Sequence, residues 1–376
     1  MKKITIVIII ILAFISCSRE LNDQHGERIP RSQRTQGFQE SLKAQNVVLF
    51  IGDGMGLSHI YASMTANNGT LYLEGCTHTG LLKTYSSNRY ITDSGAGGTA
   101  MSSGVKTYNG AIGMNVNREP VKTILEYAED HGLATGLIST SAITHATPAS
   151  FISHQANRND YEDIASDFLN TDIDLIIGGG RDHFNKRKND DLDLIESLKS
   201  KGYHVLDRIP ESTDLSHEKL ACFTALMHNP SILDGRGDML PEATRSALHF
   251  LSRNKKGFFI MIEGSHIDWA AHANNTEYII AEMLDFDRAI NEALNFAKSD
   301  KNTLVIVTAD HETGGMTIHG GNFQDGTVEA AYTTDGHTGV MVPVFAYGPG
   351  AENFTGIYEN TEIFKKMMAA FGFTAE

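Results

Sequence analysis

Cysteine, tryptophan and net basic charge are all in short supply in this chain. Its 376 residues include three cysteines, one tryptophan and eight prolines. So few cysteines exclude a disulfide-stapled scaffold. Cys17 closes an N-terminal apolar run, which leaves Cys76 and Cys222 to pair or stay free; with no spacing motif near either, a buried thiol at each place is the simpler reading. Basic residues number 31 against 46 acidic ones, a formal net charge of −15. That balance excludes nonspecific nucleic-acid binding, which needs basic stripes. An anionic ligand would need a local source of positive charge, and bound metal ions can supply it. No apolar run reaches the roughly 20 residues of a membrane-spanning helix.

What is present suffices for a large core: 41% of residues are hydrophobic and 20% charged. At about 150 residues per domain the length allows one to three domains. Lys2 and Lys3 followed by Ile4 to Ile15 read as an export signal. The signal is expected to cover residues 1–17 and to end at Ser16-Cys17, which resembles a lipoprotein cleavage box with Cys17 as the lipidated first residue. Phe14 stands where Leu or Val is usual in such a box, and secretion with cleavage nearby is the alternative. Residues 18–45 are polar and aperiodic and read as a tether holding residues 46–376 off a membrane.

From residue 46 short apolar runs alternate with helical patterns. Strands are expected at Val47 to Ile51, Thr135 to Ser139, Ile173 to Ile177, Gly257 to Ile262, Thr303 to Thr308 and Val342 to Tyr347. Consecutive apolar positions suit strands covered on both faces of a parallel sheet. Val121 to Asp130 and Thr276 to Lys298 read as amphipathic helices. In the second, Ile279, Ile280, Met283, Phe286, Ile290 and Leu294 form one core-facing stripe, with Asn275 or Thr276 as cap. The pattern predicts a single α/β domain with a mostly parallel central sheet flanked by helices.

The polar clusters fall where open α/β sheets place their ligands, at strand ends. Asp53 follows the first strand, Glu263, His266, Asp268 and His272 follow FFIMI, Asp310, His311 and Glu312 follow TLVIVTA, and His337 precedes VMVPVFAYG. One such cluster is common by chance; four rich in Asp and His are not. Asp268 and His272 share one face of a helical turn, which suits two ligands of one metal. Mixed imidazole and carboxylate favour zinc, and carboxylate with hydroxyl favours magnesium. Ser94, in ITDSGAGGTAMSSG, precedes small residues that let a helix N-terminus approach a ligand closely. Read alone, that stretch is a turn.

Taken in order, the motifs VLFIGDGMG, TDSGAGGTAMSSGVKTYNGAIGMN, THATPASFISHQANRND, MIEGSHIDWAAHANN, TADHETGG and DGHTG resemble the alkaline phosphatase family from residue 47 to about 350. The resemblance implies a three-layer α/β sandwich and hydrolysis of small phosphate monoesters through a phosphoserine on Ser94. It implies that Asp268, His272 and His337 bind one zinc and that Asp53, Asp310 and His311 bind a second. Asp53 would also serve a third ion, normally magnesium, with Thr147 and Glu263. Arg158 would grip the phosphate through two parallel hydrogen bonds; read alone, it is a solvated helix charge. The family is commonly dimeric, which implies a homodimer.

Two positions depart from part of the family. His145 stands where some members carry aspartate, and Trp269 where some carry lysine or histidine. Imidazole is a poor magnesium ligand, so His145 is an additional candidate that weakens the third site's preference for magnesium. His154, His266 and His319 are assigned no metal. Only residues 312–336 separate His311 from His337, where larger relatives insert a domain, so an open pocket and a broad substrate range are expected. Among related chemistries, a sulfatase needs a Cys/Ser-x-Pro-x-Arg setting that TDSGAGG lacks, and a phosphodiesterase would lack Thr147 and Glu263. A non-catalytic metal-binding lipoprotein predicts missing ligands, and none is missing.

Overall fold

Each of the six apolar runs becomes a strand of one sheet. The computed structural model describes residues 43–211 and 214–374; the expected signal, Cys17 and the tether up to residue 42 lie outside the described residues. In chain order the strands are β1 (Asn46–Gly52), β2 (His78–Lys83), β3 (Ala134–Ala142), β4 (Leu175–Gly179), β5 (Tyr203–Leu206), β6 (Lys219–Phe223), β7 (Phe258–Gly264) and β8 (Thr303–Thr308). There follow β9 (Glu312–Thr313), the hairpin β10 (Thr317–Asn322) and β11 (Thr327–Ala331), then β12 (His337–Thr338), β13 (Val342–Tyr347) and β14 (Gly356–Glu359). Among the described residues the main sheet has ten strands in the order β14-β2-β13-β8-β1-β7-β3-β4-β6-β5. All its pairings are parallel except those of β13 with β2 and β8.

The apolar runs explain why β1 is central. Val47, Val48, Leu49, Phe50 and Ile51 are all fully buried, so both faces of the strand are covered. Burying each such side chain contributes about 1.5–3 kcal/mol, and a strand with this composition has no face to offer water. The helix Thr276–Asp300 packs on β1 and β8 and on the helix Met239–Leu251. Its stripe residues Ile279, Met283, Phe286, Ile290 and Leu294 are buried and Ile280 partly so. The Asn275 side chain accepts the Tyr278 N–H at 3.1 Å and caps it. The helix expected from Val121 begins at Ile124 instead, because Thr123 and Glu126 form a capping box. Cys76 and Cys222 are both free thiols.

Parallel strands bring all their carboxyl ends to one edge of the sheet. The antiparallel β13 begins at that same edge, so the residues just before it arrive beside those just after β1, β7 and β8. This is why His337 precedes its strand while Asp53, Asp268 and Asp310 follow theirs. Between His311 and His337 the chain forms only β9, the β10–β11 hairpin and the loop into β12.

Candidate metal centre

Asp53 leaves β1, Glu263 is the penultimate residue of β7, and Asp310 and His311 lie in the loop joining β8 to β9. Thr147 sits in the short helix Ala146–Ala149 after β3, with His145 as its N-terminal flanking residue. Asp268 and His272 share the helix His266–His272, and His337 opens β12, paired with Thr313. Three groups result: Asp268, His272 and His337; Asp53, Asp310 and His311; and Asp53, His145 and Glu263. Within each, the potential ligand atoms lie within 4.8 Å of one another. Asp53 belongs to two groups. Thr147 Oγ1 donates to Asp53 Oδ2 at 3.4 Å and so borders both.

Whether these residues fit cations is decided by how each carboxylate is satisfied. Asp310 Oδ1 accepts the N–H groups of Gly54 at 3.1 Å and His311 at 3.0 Å, while its Oδ2 is buried with no hydrogen-bond partner. Glu263 Oε2 accepts from Ser139 at 2.6 Å, and Oε1 has none. Asp53 Oδ2 accepts from Thr147, and Oδ1 has none. His145 Nδ1 is likewise buried and without a partner. An unpaired buried polar atom costs about 1–3 kcal/mol, more when charged. Each acid thus has one oxygen pinned by protein and one left over, the pattern a cation completes.

The imidazoles are oriented for the same purpose. His272 Nδ1–H donates to the Asp335 carbonyl at 2.5 Å and His337 Nδ1–H to the Thr92 carbonyl at 3.0 Å. Thr313 orients the third. Its single hydroxyl proton goes to the Asp268 carboxylate at 2.5 Å, so His311 Nδ1–H donates to the Thr313 oxygen at 3.2 Å. In all three rings Nδ1 is engaged with protein, which turns Nε2 toward the neighbouring carboxylates; in His272 that Nε2 pairs with Asp268 Oδ2 at 3.3 Å. Gly54, at φ 71°, makes room for this contact; a Cβ there would meet Thr313 Oγ1 at 2.7 Å and Asp268 Oδ1 at 2.8 Å.

Burial, then the neighbouring Asp310, Asp268 and Glu263 charges, raise the Asp53 carboxyl well above its ordinary range. Burial lifts Glu263 to about 7 against the hydroxyls of Ser139, Ser265 and Thr147. Burial also drops His311 to about 4 and His145 to about 3, keeping both neutral. Asp268 behaves oppositely. Burial works against its charge, yet the His272 hydrogen bond and the His311 and His337 rings hold it below the carboxylate range. The same contact lifts His272 to about 9. Four carboxylates this close need positive charge to share the space.

Ser94 is the first residue of the helix Ser94–Ser103, and its Oγ lies 3.3 Å from His311 Nε2. Asp93 caps that helix, accepting the Ala96 N–H at 3.0 Å. Gly97 lets the helix close on the site, since a Cβ there would come within 3.1 Å of Asp310. Asp93 Oδ2 also accepts from Arg158 at 3.0 Å, which ties the guanidinium to the residue preceding Ser94. Burial opposes the Arg158 charge, but Asp93 more than restores it. Among the residues assigned no metal, His154 bonds Gly113 and Glu126, and His266 bonds Tyr278 and Asn229.

Two contributors here escape motif reading. Asp93 was visible as an acid just before a helix, a capping signal whose second partner, Arg158, is remote in sequence. Thr313 gives no signal beyond lying two residues after His311.

A parallel-sheet α/β fold that gathers three groups able to hold cations, one of them against a serine at a helix N-terminus, has the make-up of a metalloenzyme. The family model for alkaline phosphatase matches residues 44–331 and 324–373. Alkaline phosphatase 4 of Bacillus subtilis is 35% identical over 86% of this chain and 88% of its own length. The Escherichia coli alkaline phosphatase is 32% identical over 92% of this chain and 91% of its own. Among solved structures, the alkaline phosphatase of the Antarctic bacterium TAB5 superposes with a TM-score of 0.85 at 43% identity, over 89% of this chain and 100% of that one. A histidine-to-aspartate variant of the TAB5 enzyme, with magnesium in its M3 site, gives 0.86 at 42% identity over the same shares. The chain belongs to the alkaline phosphatase family.

Proposed function

We propose that this chain hydrolyses phosphate monoesters by double displacement, with Ser94 as the nucleophile that becomes phosphorylated. Family membership and the three cation-binding groups support metal-dependent hydrolysis of phosphate monoesters. The observation that carries the role of Ser94 is its position: a buried hydroxyl at a helix N-terminus, 3.3 Å from His311 Nε2, beside two groups that share the need for a cation. Asp53, Asp310 and His311 would hold one zinc, Asp268, His272 and His337 the other, and Asp53, Thr147 and Glu263 with His145 a third ion, magnesium in the simplest reading. Zinc at such sites supplies Lewis acidity, making a serine hydroxyl or a water acidic near neutral pH and neutralising a phosphoryl dianion.

The chain's own residues do the rest. Arg158, held by Asp93, binds two phosphoryl oxygens and orients the phosphorus for in-line attack by Ser94 Oγ. The N-terminal amides of the Ser94–Ser103 helix favour the charge that builds there. The Ser94 Oγ–P bond forms as the ester P–O bond breaks, the alcohol leaves, and water then releases phosphate and restores the serine. Asp335, Thr92 and Thr313 hold the three rings through Nδ1, so that Nε2 is the atom aimed at each group.

Broad substrate range follows from the short connection between His311 and His337, which leaves little protein to grip the leaving group. The basic start and apolar run support export with lipid anchoring through Cys17 and residues 18–45 as tether. No helix of the described residues is long and apolar enough to cross a membrane. A homodimer, as the resemblance implies, is tested by sedimentation.

The deciding assay compares a chromogenic phosphomonoester with a diester and a sulfate ester at alkaline pH, before and after chelation. Monoester turnover that chelation abolishes and zinc plus magnesium restore is expected. Preference for the diester, or activity indifferent to chelation, would overturn the reading.

A further inference from the structure

Three serines beneath Glu263 take no part in the reaction just described, yet their hydroxyls converge on it. Ser139 and Ser141 lie on β3, Ser265 follows β7, and all three are fully buried. Ser139 is the register partner of Glu263 in the parallel pairing of β3 with β7. The pairing of β3 with β4 shifts between Ile138 and Ala142, the stretch that carries Ser139 and Ser141. Strand periodicity also sends these two side chains to one face.

Counting protons fixes the direction of the bond that reaches Glu263. Ser139 Oγ lies 2.6 Å from Glu263 Oε2, 2.9 Å from Ser141 Oγ and 3.0 Å from Ser265 Oγ. A carboxylate only accepts, so Ser139 donates its one proton there, at a charge-assisted length. With its proton spent, the Ser139 oxygen can only accept: from the Ser141 N–H at 3.0 Å and from the hydroxyl of Ser141 or Ser265, while Ser141 Oγ also reaches the Ala142 carbonyl at 3.3 Å. Ser265 Oγ lies 3.0 Å from Ser141 Oγ, and its own N–H is tied to Thr140 Oγ1 at 2.9 Å. The three hydroxyls form one mutually bonded cluster that polarises the bond to a single oxygen of one carboxylate. The other oxygen, Oε1, is the unpartnered atom in the group with Asp53 and His145.

We infer that Ser139, Ser141 and Ser265 are positioning residues for the third ion: they lock Glu263 so that Oε1 alone faces it, and they set how tightly it is held. The inference rests on the reading of Asp53, His145, Thr147 and Glu263 as cation-binding. A side chain without this clamp could swing both oxygens or neither toward the ion, so losing the cluster loosens the ligand without removing it. Outer-shell partners of this kind are worth about 10–100-fold in metal affinity.

The test uses the full-length enzyme with both zinc groups filled, titrated with manganese and followed by the electron paramagnetic resonance of the free ion. Ser139→Ala should weaken the third ion by about 10–100-fold, and Ser265→Ala, which leaves the Ser139–Glu263 bond in place, by less. Zinc content by elemental analysis should stay at the wild-type value in both. Ser265→Ala leaves β3 intact and keeps the inference testable if Ser139→Ala does not fold. Wild-type manganese affinity in a folded Ser139→Ala protein, or in Ser265→Ala where that alone folds, would overturn it, as would a fall in thermal midpoint with no change in affinity. Glu263→Gln separates the two readings: wild-type manganese affinity in that variant would mean the third site itself is misassigned.

Discussion

The two ligand groups beside Ser94 use the same residue types and differ in how far water reaches them. The Asp53, Asp310 and His311 side chains are all at 0% exposure, whereas those of Asp268, His272 and His337 stand at 7%, 38% and 17%. The sealed group hangs from β1 and β8, central strands buried on both faces. The open group comes from a seven-residue helix and the two-residue strand β12. Their electrostatics differ accordingly. Without a cation the open group satisfies itself, because Asp268 and His272 form an ion pair at 3.3 Å. The sealed group cannot, since burial keeps His311 neutral while Asp53 and Asp310 each retain an orphaned oxygen. The cost of lacking a cation is concentrated where the fold is most buried, and access for an ion is greatest where it is most open.

Breaking the sealed group should have the largest effect. Asp310→Asn should lower turnover by about 10³-fold, the scale of losing several kcal/mol of Lewis-acid assistance. It should also raise the melting temperature of the metal-free protein, because it removes one of the crowded carboxylates, while lowering that of the metal-loaded form. Calorimetry of both forms checks this; equal shifts in the two would contradict the burial argument. Thr313→Val comes next, since Thr313 touches Asp268 and His311 together. Zinc affinity should fall by about 10–100-fold in both groups and recover with Thr313→Ser, measured by competition with a chromogenic chelator. A loss confined to one group would show that the hydroxyl serves one ligand only.

Chelation of the wild-type enzyme sharpens the contrast without mutation. Zinc release should be biphasic, with the fast phase preserving the native melting temperature and the slow phase lowering it. One phase would mean that exposure does not govern exchange.

The smallest effect belongs to the partly exposed pair Glu126–His154, 3.2 Å apart and away from both groups. Burial works against both charges, yet hydrogen bonding to His154 and Thr123 holds Glu126 below its ordinary 4.5. Hydrogen bonding to Glu126 and Gly113 lifts His154 above its ordinary 6.5. The His154 contribution is complete below 6.5 and fades as pH rises through the folded value; that of Glu126 is complete above 4.5 and fades as pH falls through its own. Glu126→Gln should therefore cost most between those limits, up to about 1 kcal/mol in urea unfolding, with zinc retention unchanged.

The sequence is informative about the two regions in different ways. The sealed group was readable because its residues sit directly after apolar strands, where chain order and spatial order coincide. Asp268 and His272 were readable from helical spacing. His337 was visible as a polar residue before an apolar run, but setting it beside Asp268 and His272 needed the antiparallel direction of β13, which no periodicity reveals. The edge strands β5 and β14, and β2 beside β14, were not legible, because partial exposure breaks up their apolar runs. Thr313 and the serines under Glu263 act by hydrogen bonding across remote segments, and ordinary serines and threonines carry no spacing that announces it.

The most direct measurement is to quench the enzyme in acid during exposure to a phosphomonoester and map phosphate by tandem mass spectrometry. The account predicts one phosphorylated residue, Ser94, and no trapped phosphate in Ser94→Ala. Phosphate on another residue, or label persisting in that variant, would contradict it.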